Sequence, residues 1–405
     1  MRRFSRAAVT AAVAAVAAAV VNGTAGWASD TARRPVTGPP PGTQEWRSDR
    51  SPGRALPDPG SASPTEVAAF FADLTETQRQ RLTARHPSVV GNLDGAPVAL
   101  RYRANALALG VPGVPGVPGS GTESRQILVY DPRGRGRIAE VFGDLARARR
   151  VAVVVPGSDI DAGTFDRTRE TARSLYEAAN GPGDGDGGAA RRGRAGGGAW
   201  SGTGDDRAED GPRSDPTGSD PAGNEPTGND PAGNDPAGDE PAGTVAVIAW
   251  AGYTTPVGVG LDAATGDLAE DGAERLARFT RGVAATGAAR PALFCHSYGS
   301  VVCGLAAERA GATDIVALGS PGMRADTVAD LRTGARVWAA KAPSDWISRV
   351  PNVEFAGLGH GTDPTAPEFG ARRVPAGDTA GHDGYFAPGT SSLRAFASIA
   401  RGEAR

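Results

Sequence analysis

Hydrophobic and polar positions divide this chain into a helical opening, a segment of alternating apolar runs, and stretches with no apolar period. Glu66–Ala72 has helical spacing, and Thr75-Glu-Thr-Gln78 is a capping box that opens a second helix through Arg85, stopped at His86-Pro87. Val98–Leu109 predicts a third helix, ended by Gly110. Val111–Gly119 is a run of turns. From Gln126 the period changes. Ile127–Tyr130 and Ile138–Phe142, joined through Asp131–Gly136, predict a β-hairpin. Continuous apolar runs follow at Val151–Val155, Val245–Trp250, Pro291–Phe294, Ile315–Leu318 and Val337–Ala340. Helical patterns lie between them, at Phe165–Ala179, Leu268–Ala285, Ser300–Glu308 and Asp326–Leu331, and Ser392–Ala400 closes the chain. Strands apolar on both faces, alternating with helices, predict an α/β fold whose central sheet is mostly parallel and covered on both faces.

Two segments fall outside this pattern. Residues 29–62 are rich in Pro, Gly and Ser and read as a disordered tether before a small helical region at 63–110. Residues 181–244 carry almost no apolar side chains and end in six five-residue repeats, from Asp215-Pro-Thr-Gly-Ser219 to Glu240-Pro-Ala-Gly-Thr244. Such a segment cannot bury enough surface to fold, so it reads as a disordered insertion within a domain spanning 120–402. Lengthening a loop from ~5 to ~60 residues costs only about 2 kcal/mol of closure entropy.

The first 28 residues have the form of an export signal. Arg2, Arg3 and Arg6 precede a 15-residue apolar stretch, Ala7–Val21, and Gly26-Trp27-Ala28 is a small-x-small cleavage site. The stretch is shorter than the ~20 residues of a spanning helix. The expectation is a secreted or cell-surface protein with no stable membrane insertion after signal removal; an uncleaved anchor is the alternative. A formal net charge of −3 gives no basic field to recruit nucleic acid. No His/Cys/Asp cluster has metal-ligand spacing, and no cofactor is implied. The two cysteines, Cys295 and Cys303, read as small buried apolar residues whose side chains do not meet.

The chemistry centres on Cys295-His-Ser-Tyr-Gly299, between an apolar strand and a helix. A serine on a sharp strand-to-helix turn is a nucleophile elbow, and this one follows the fifth strand, where an α/β-hydrolase carries its serine. Ser297 is therefore the candidate nucleophile. The main-chain N–H groups of Tyr298 and of Ser158, just after the third strand, are the candidate oxyanion donors. The orienting acid should follow the seventh strand, which favours Asp345 over Asp363. The base should come late in the chain, which leaves His360 and His382. His86 precedes the sheet, and strand alternation turns His296 to the face away from the serine.

Six stretches together resemble a family of bacterial, actinobacterial-type secreted α/β-hydrolases whose substrate is not established. They are His86–Pro97, Arg103-Ala-Asn105, Val155-Pro-Gly157, Trp250-Ala-Gly-Tyr253, His296-Ser-Tyr-Gly-Ser300 and Gly381-His-Asp-Gly-Tyr-Phe386. The resemblance implies an α/β-hydrolase fold and a triad of Ser297, Asp345 and His382, and so selects His382 over His360. Cys295 departs from it, standing where the elbow usually carries Gly, and so does the insertion. The expected function is esterase-like hydrolysis of a small-molecule or acyl substrate. A peptidase or acyltransferase with the same triad and a non-catalytic binding or scaffold protein are the alternatives.

Overall fold

In the computed structural model the described residues are 34–110, 125–181, 245–350, 352–355 and 358–404. The first 28 residues, read above as an export signal, the run of turns at 111–119 and nearly all of the 181–244 insertion lie outside them. The elements run α1 (Thr43–Ser48), α2 (Pro64–Ala72), α3 (Glu76–Arg85), α4 (Pro87–Val90), α5 (Val98–Leu109), β1 (Gln126–Asp131), β2 (Arg137–Phe142), β3 (Arg150–Val155) and α6 (Asp166–Asn180). They continue with β4 (Val245–Ala251), α7 (Leu261–Ala264), α8 (Asp267–Ala285), β5 (Pro291–His296), α9 (Gly299–Ala306), β6 (Asp314–Leu318), β7 (Arg336–Ala340), β8 (Glu354–Phe355), β9 (Leu358–Gly359), β10 (Arg372–Arg373) and α10 (Ser391–Arg401).

Eight strands form one sheet in the order β1-β2-β4-β3-β5-β6-β7-β10. β2 runs antiparallel to both neighbours, and the remaining pairs are parallel. Alternation along each strand divides the core. Leu293 and Cys295 of β5 join the α8 and α9 side chains on one face. Ala292 and Phe294 join α6, α10, Tyr385 and Phe386 on the other. In α10 the buried positions are Ser392, Leu393, Phe396, Ala397, Ile399 and Ala400, one stripe at helical period. The pattern expected at 326–331 yields only a short 3₁₀ turn, Val328–Leu331.

Two sequence expectations are corrected. The first is the tether. Residues 43–48 form α1, and the Trp46 ring is fully buried against a third cluster that includes Val67, Phe71, Leu82 and Leu93. Its Nε1–H donates to Pro57 O at 2.7 Å. One large aromatic anchored at both ends orders a stretch whose Pro/Gly composition otherwise predicts none. The helical region therefore begins before residue 63.

The second is the cysteine pair: Cys295 and Cys303 form a disulfide, with Cα atoms 6.4 Å apart. Cys295 points to the face that α9 covers, and Cys303, fully buried in α9, turns back to meet it. The bond ties the strand before the elbow to the helix after it. Closing an eight-residue separation restricts the unfolded chain by about 2–3 kcal/mol. A Cys295→Ala/Cys303→Ala variant is expected to fold and to lose roughly that much stability, read by chemical denaturation.

Candidate active site

The sheet register brings four loops to one edge. Val155 of β3 is level with Cys295 of β5, His296 with Leu318 of β6, and Leu318 with Ala340 of β7. The chain leaving each strand therefore opens at the same height. Ser297 holds the elbow itself in the left-handed region, with φ 53°. That conformation is costly for a side chain with a Cβ and persists only where the surroundings enforce it. Here its N–H donates to Leu318 O at 2.9 Å, and its carbonyl accepts the Ser300 N–H at 2.9 Å and the Ser300 hydroxyl at 2.6 Å.

Two glycines make the close approach possible. A Cβ on Gly299 would lie 2.5 Å from Val155 O and 2.6 Å from Pro156 O. A Cβ on Gly157 would lie 2.6 Å from Ser297 Cβ and 3.1 Å from its Oγ. The loop after β3 thus passes directly beside the serine, and Ser158 follows it there. Tyr298 opens α9, where first-turn N–H groups have no intrahelical acceptor. The Tyr298 side chain turns away: its hydroxyl donates to Thr265 O at 3.2 Å and accepts the Ala269 N–H at 3.1 Å.

Asp345 and His382 meet. His382 Nδ1–H donates to Asp345 Oδ1 at 2.8 Å. The carboxylate is buried and also accepts the Ile347 N–H at 2.8 Å and the Tyr385 hydroxyl at 2.6 Å. Burial alone would raise the Asp345 carboxyl; the bonds from His382, Tyr385 and Ile347 outweigh it and hold the group below its ordinary range. An ionised Asp345 keeps the proton on His382 Nδ1, so neutral His382 presents a lone pair at Nε2. Gly319 lets these side chains close in, since a Cβ there would sit 2.9 Å from Asp345 Oδ2 and 3.1 Å from His382 Nδ1.

The two competitors are engaged elsewhere. Asp363 pairs with Lys341, the only lysine, and accepts from Thr365 at 2.8 Å. His360 is buried against the Tyr298 ring, and its Nε2–H donates to Ala263 O at 2.6 Å. Burial, reinforced by Arg324, pushes its imidazole down to about 4 against the pull of the Ala263 carbonyl. Unfolded histidine titrates near pH 6.5, so between these values the unfolded chain binds the proton that folded His360 refuses. This group's share of stability is complete above pH ~6.5 and falls by about 1.4 kcal/mol per unit as pH drops toward 4. The wild type is therefore expected to lose more stability than His360→Gln between pH 6.5 and 4.5 in urea titrations.

A cleft of about 560 Å³ opens over this edge, lined by Ser297, His382, Ser158, His296, Trp346 and Val259 among others. Arg167, Glu170 and Ser174 of α6 also line it, a contribution that the sequence does not reveal. Sequence reasoning also missed Trp346, whose ring lies 4.6 Å from the His382 ring, and the reach of His296. Alternation does turn His296 away from Cys295. The loop carrying His382 covers that face, however, and His296 Nε2–H donates to His382 O at 2.8 Å. Adjacency to Asp345 was the one available signal for Trp346.

Residues 131–190 and 230–355 match a family model described as Alpha/beta hydrolase. That span carries β2 through β7 and the elbow, with β2 alone reversed. The fold is that of an α/β-hydrolase. Two uncharacterised proteins of Mycobacterium tuberculosis, from strains CDC 1551 and H37Rv, are each 31% identical to the chain over 429 aligned positions. The alignment covers 86% of this chain and 57% of either relative, so the chain spans little more than half their length. Among solved structures, a lidless α/β serine hydrolase from Xanthomonas campestris aligns with 15% identity and a TM-score of 0.34, covering 66% of this chain and 89% of that one. An esterase domain from Rhodothermus marinus aligns with 10% identity and a TM-score of 0.31, covering 67% and 95%.

Proposed function

We propose that this α/β-hydrolase is an exported serine hydrolase that cleaves ester or related acyl bonds through Ser297, His382 and Asp345. The observation that carries the reading is the Asp345–His382 bond at 2.8 Å, lining one cleft with a serine held left-handed at φ 53°. In this reading Ser297 Oγ attacks the acyl carbonyl while its proton passes to His382 Nε2. The oxyanion of the tetrahedral intermediate takes hydrogen bonds from the N–H groups of Tyr298 and Ser158. Collapse expels the alcohol, which receives the proton from His382 and leaves an acyl-Ser297 ester. Water, deprotonated by His382, then attacks that ester; collapse releases the acid and returns the proton to Ser297.

The Asp345 carboxylate stays ionised throughout and supports the imidazolium formed at each step. A cleft of this volume, bordered by Trp346 and Val259, is in the range that takes small-molecule substrates. Export is supported by the signal-like N-terminus and by the buried disulfide, a bond that persists in oxidising compartments.

Rapid mixing with p-nitrophenyl acetate tests the proposal. Covalent catalysis predicts a burst of p-nitrophenol near one equivalent of enzyme if deacylation is slower, and steady turnover in either case. Folded protein that gives neither would exclude the hydrolase reading and favour a binding role.

A further inference from the structure

We propose that His296 is a positioning residue for His382 and that, with Trp346, it forms an aromatic clamp on the ring that takes the serine proton. The inference rests on the hydrolase reading above. It starts from a geometry that the triad does not require. The His382 ring contacts two others, with centroids 4.6 Å from His296 and 4.6 Å from Trp346, each inclined by 46°. Asp345 fixes one ring nitrogen only, which leaves the imidazole free to swing about that bond. Contact with both rings restricts this freedom.

His296 does more than fill space. Its Nε2–H reaches the main-chain carbonyl of His382 itself, at 2.8 Å, so one side chain holds both the backbone and the ring of the base. Since a carbonyl only accepts, that bond fixes the His296 tautomer. His382 follows Gly381, at φ 63°, whose N–H donates to Ser344 Oγ at 2.8 Å, and the His296 ring also rests on Tyr385, with centroids 6.0 Å apart.

The charge arrangement is consistent. The ionisable groups that act on His296 are His382, Asp383 and Asp345. Burial, and then the neighbouring His382 ring, hold the His296 imidazole well below its ordinary value. A neutral His296 can lie against His382 as the latter becomes imidazolium, where a charged one would oppose that proton. Trp346 offers the rising positive charge an aromatic face.

His296→Ala, His296→Gln, Trp346→Ala and Trp346→Phe test the clamp. The glutamine keeps an N–H donor for the His382 carbonyl, and the phenylalanine keeps a ring. With p-nitrophenyl acetate each alanine variant should lose about 10- to 100-fold in kcat at nearly unchanged KM, and each conservative variant should recover most of it. The low-field proton resonance of the His382–Asp345 hydrogen bond should broaden or vanish in the alanine variants and return in the conservative ones. This signal needs no turnover, so it reports on the clamp even if Ser297-dependent hydrolysis is absent and the hydrolase reading fails. Folded alanine variants with wild-type kcat and an unmoved resonance would overturn the inference. So would a loss confined to KM, or one that glutamine and phenylalanine fail to restore. Trp346 is 39% exposed, so its variants remain informative if His296→Ala does not fold.

Discussion

Ser297→Ala should lower kcat for acyl hydrolysis by about 10⁶-fold, with little change in stability. The size follows from removing the only atom that bonds to the substrate. What remains is binding and the oxyanion donors acting on free water, which is slow. The small structural effect follows from where the hydroxyl sits. The elbow is held by the Ser297 main chain, through Leu318 O and the Ser300 N–H, while the Oγ points into the cleft. Alanine tolerates the left-handed conformation no better than serine, so the strain at φ 53° is unchanged. Steady-state kinetics and a denaturation curve measured on the same preparation separate the two effects. A variant that retains more than a hundredth of wild-type kcat would mean that Ser297 is not the nucleophile.

His382→Ala should cost nearly as much, about 10⁴- to 10⁶-fold in kcat, because nucleophile and base act as one unit. His360→Gln provides the contrast and should stay within about threefold of wild type. His360 is buried against Tyr298 and hydrogen-bonded to Ala263, and it does not line the cleft. The pair decides a choice that residue order alone left open, since both histidines follow the acid and either could return to the serine. The reverse result, with His360→Gln inactive and His382→Ala active, would require a different base and would undo the mechanism.

What the sequence disclosed tracks how local the cause is. Apolar runs located β3 through β7 because strands covered on both faces must be apolar throughout, and the hairpin pattern located β1 and β2. The edge strand β10, two residues long, carries no such pattern. The elbow was legible because Gly299 is demanded by backbone atoms of the adjacent strand. Asp345 was reachable through its place after β7. The disulfide was not, because it depends on how far α9 turns before Cys303, a quantity that spacing does not fix. α1 was hidden because one buried tryptophan outweighs the composition around it. His296 shows the same limit: alternation assigns the face of a side chain, and only tertiary packing decides which loop will cover that face.

The account stands on Ser297 being a nucleophile activated in place. Fluorophosphonate labelling followed by peptide mapping tests this most directly. The predicted result is one adduct, on Ser297, absent from Ser297→Ala and strongly slowed in His382→Ala. An adduct on another residue, or folded wild-type protein that remains unlabelled, would contradict it.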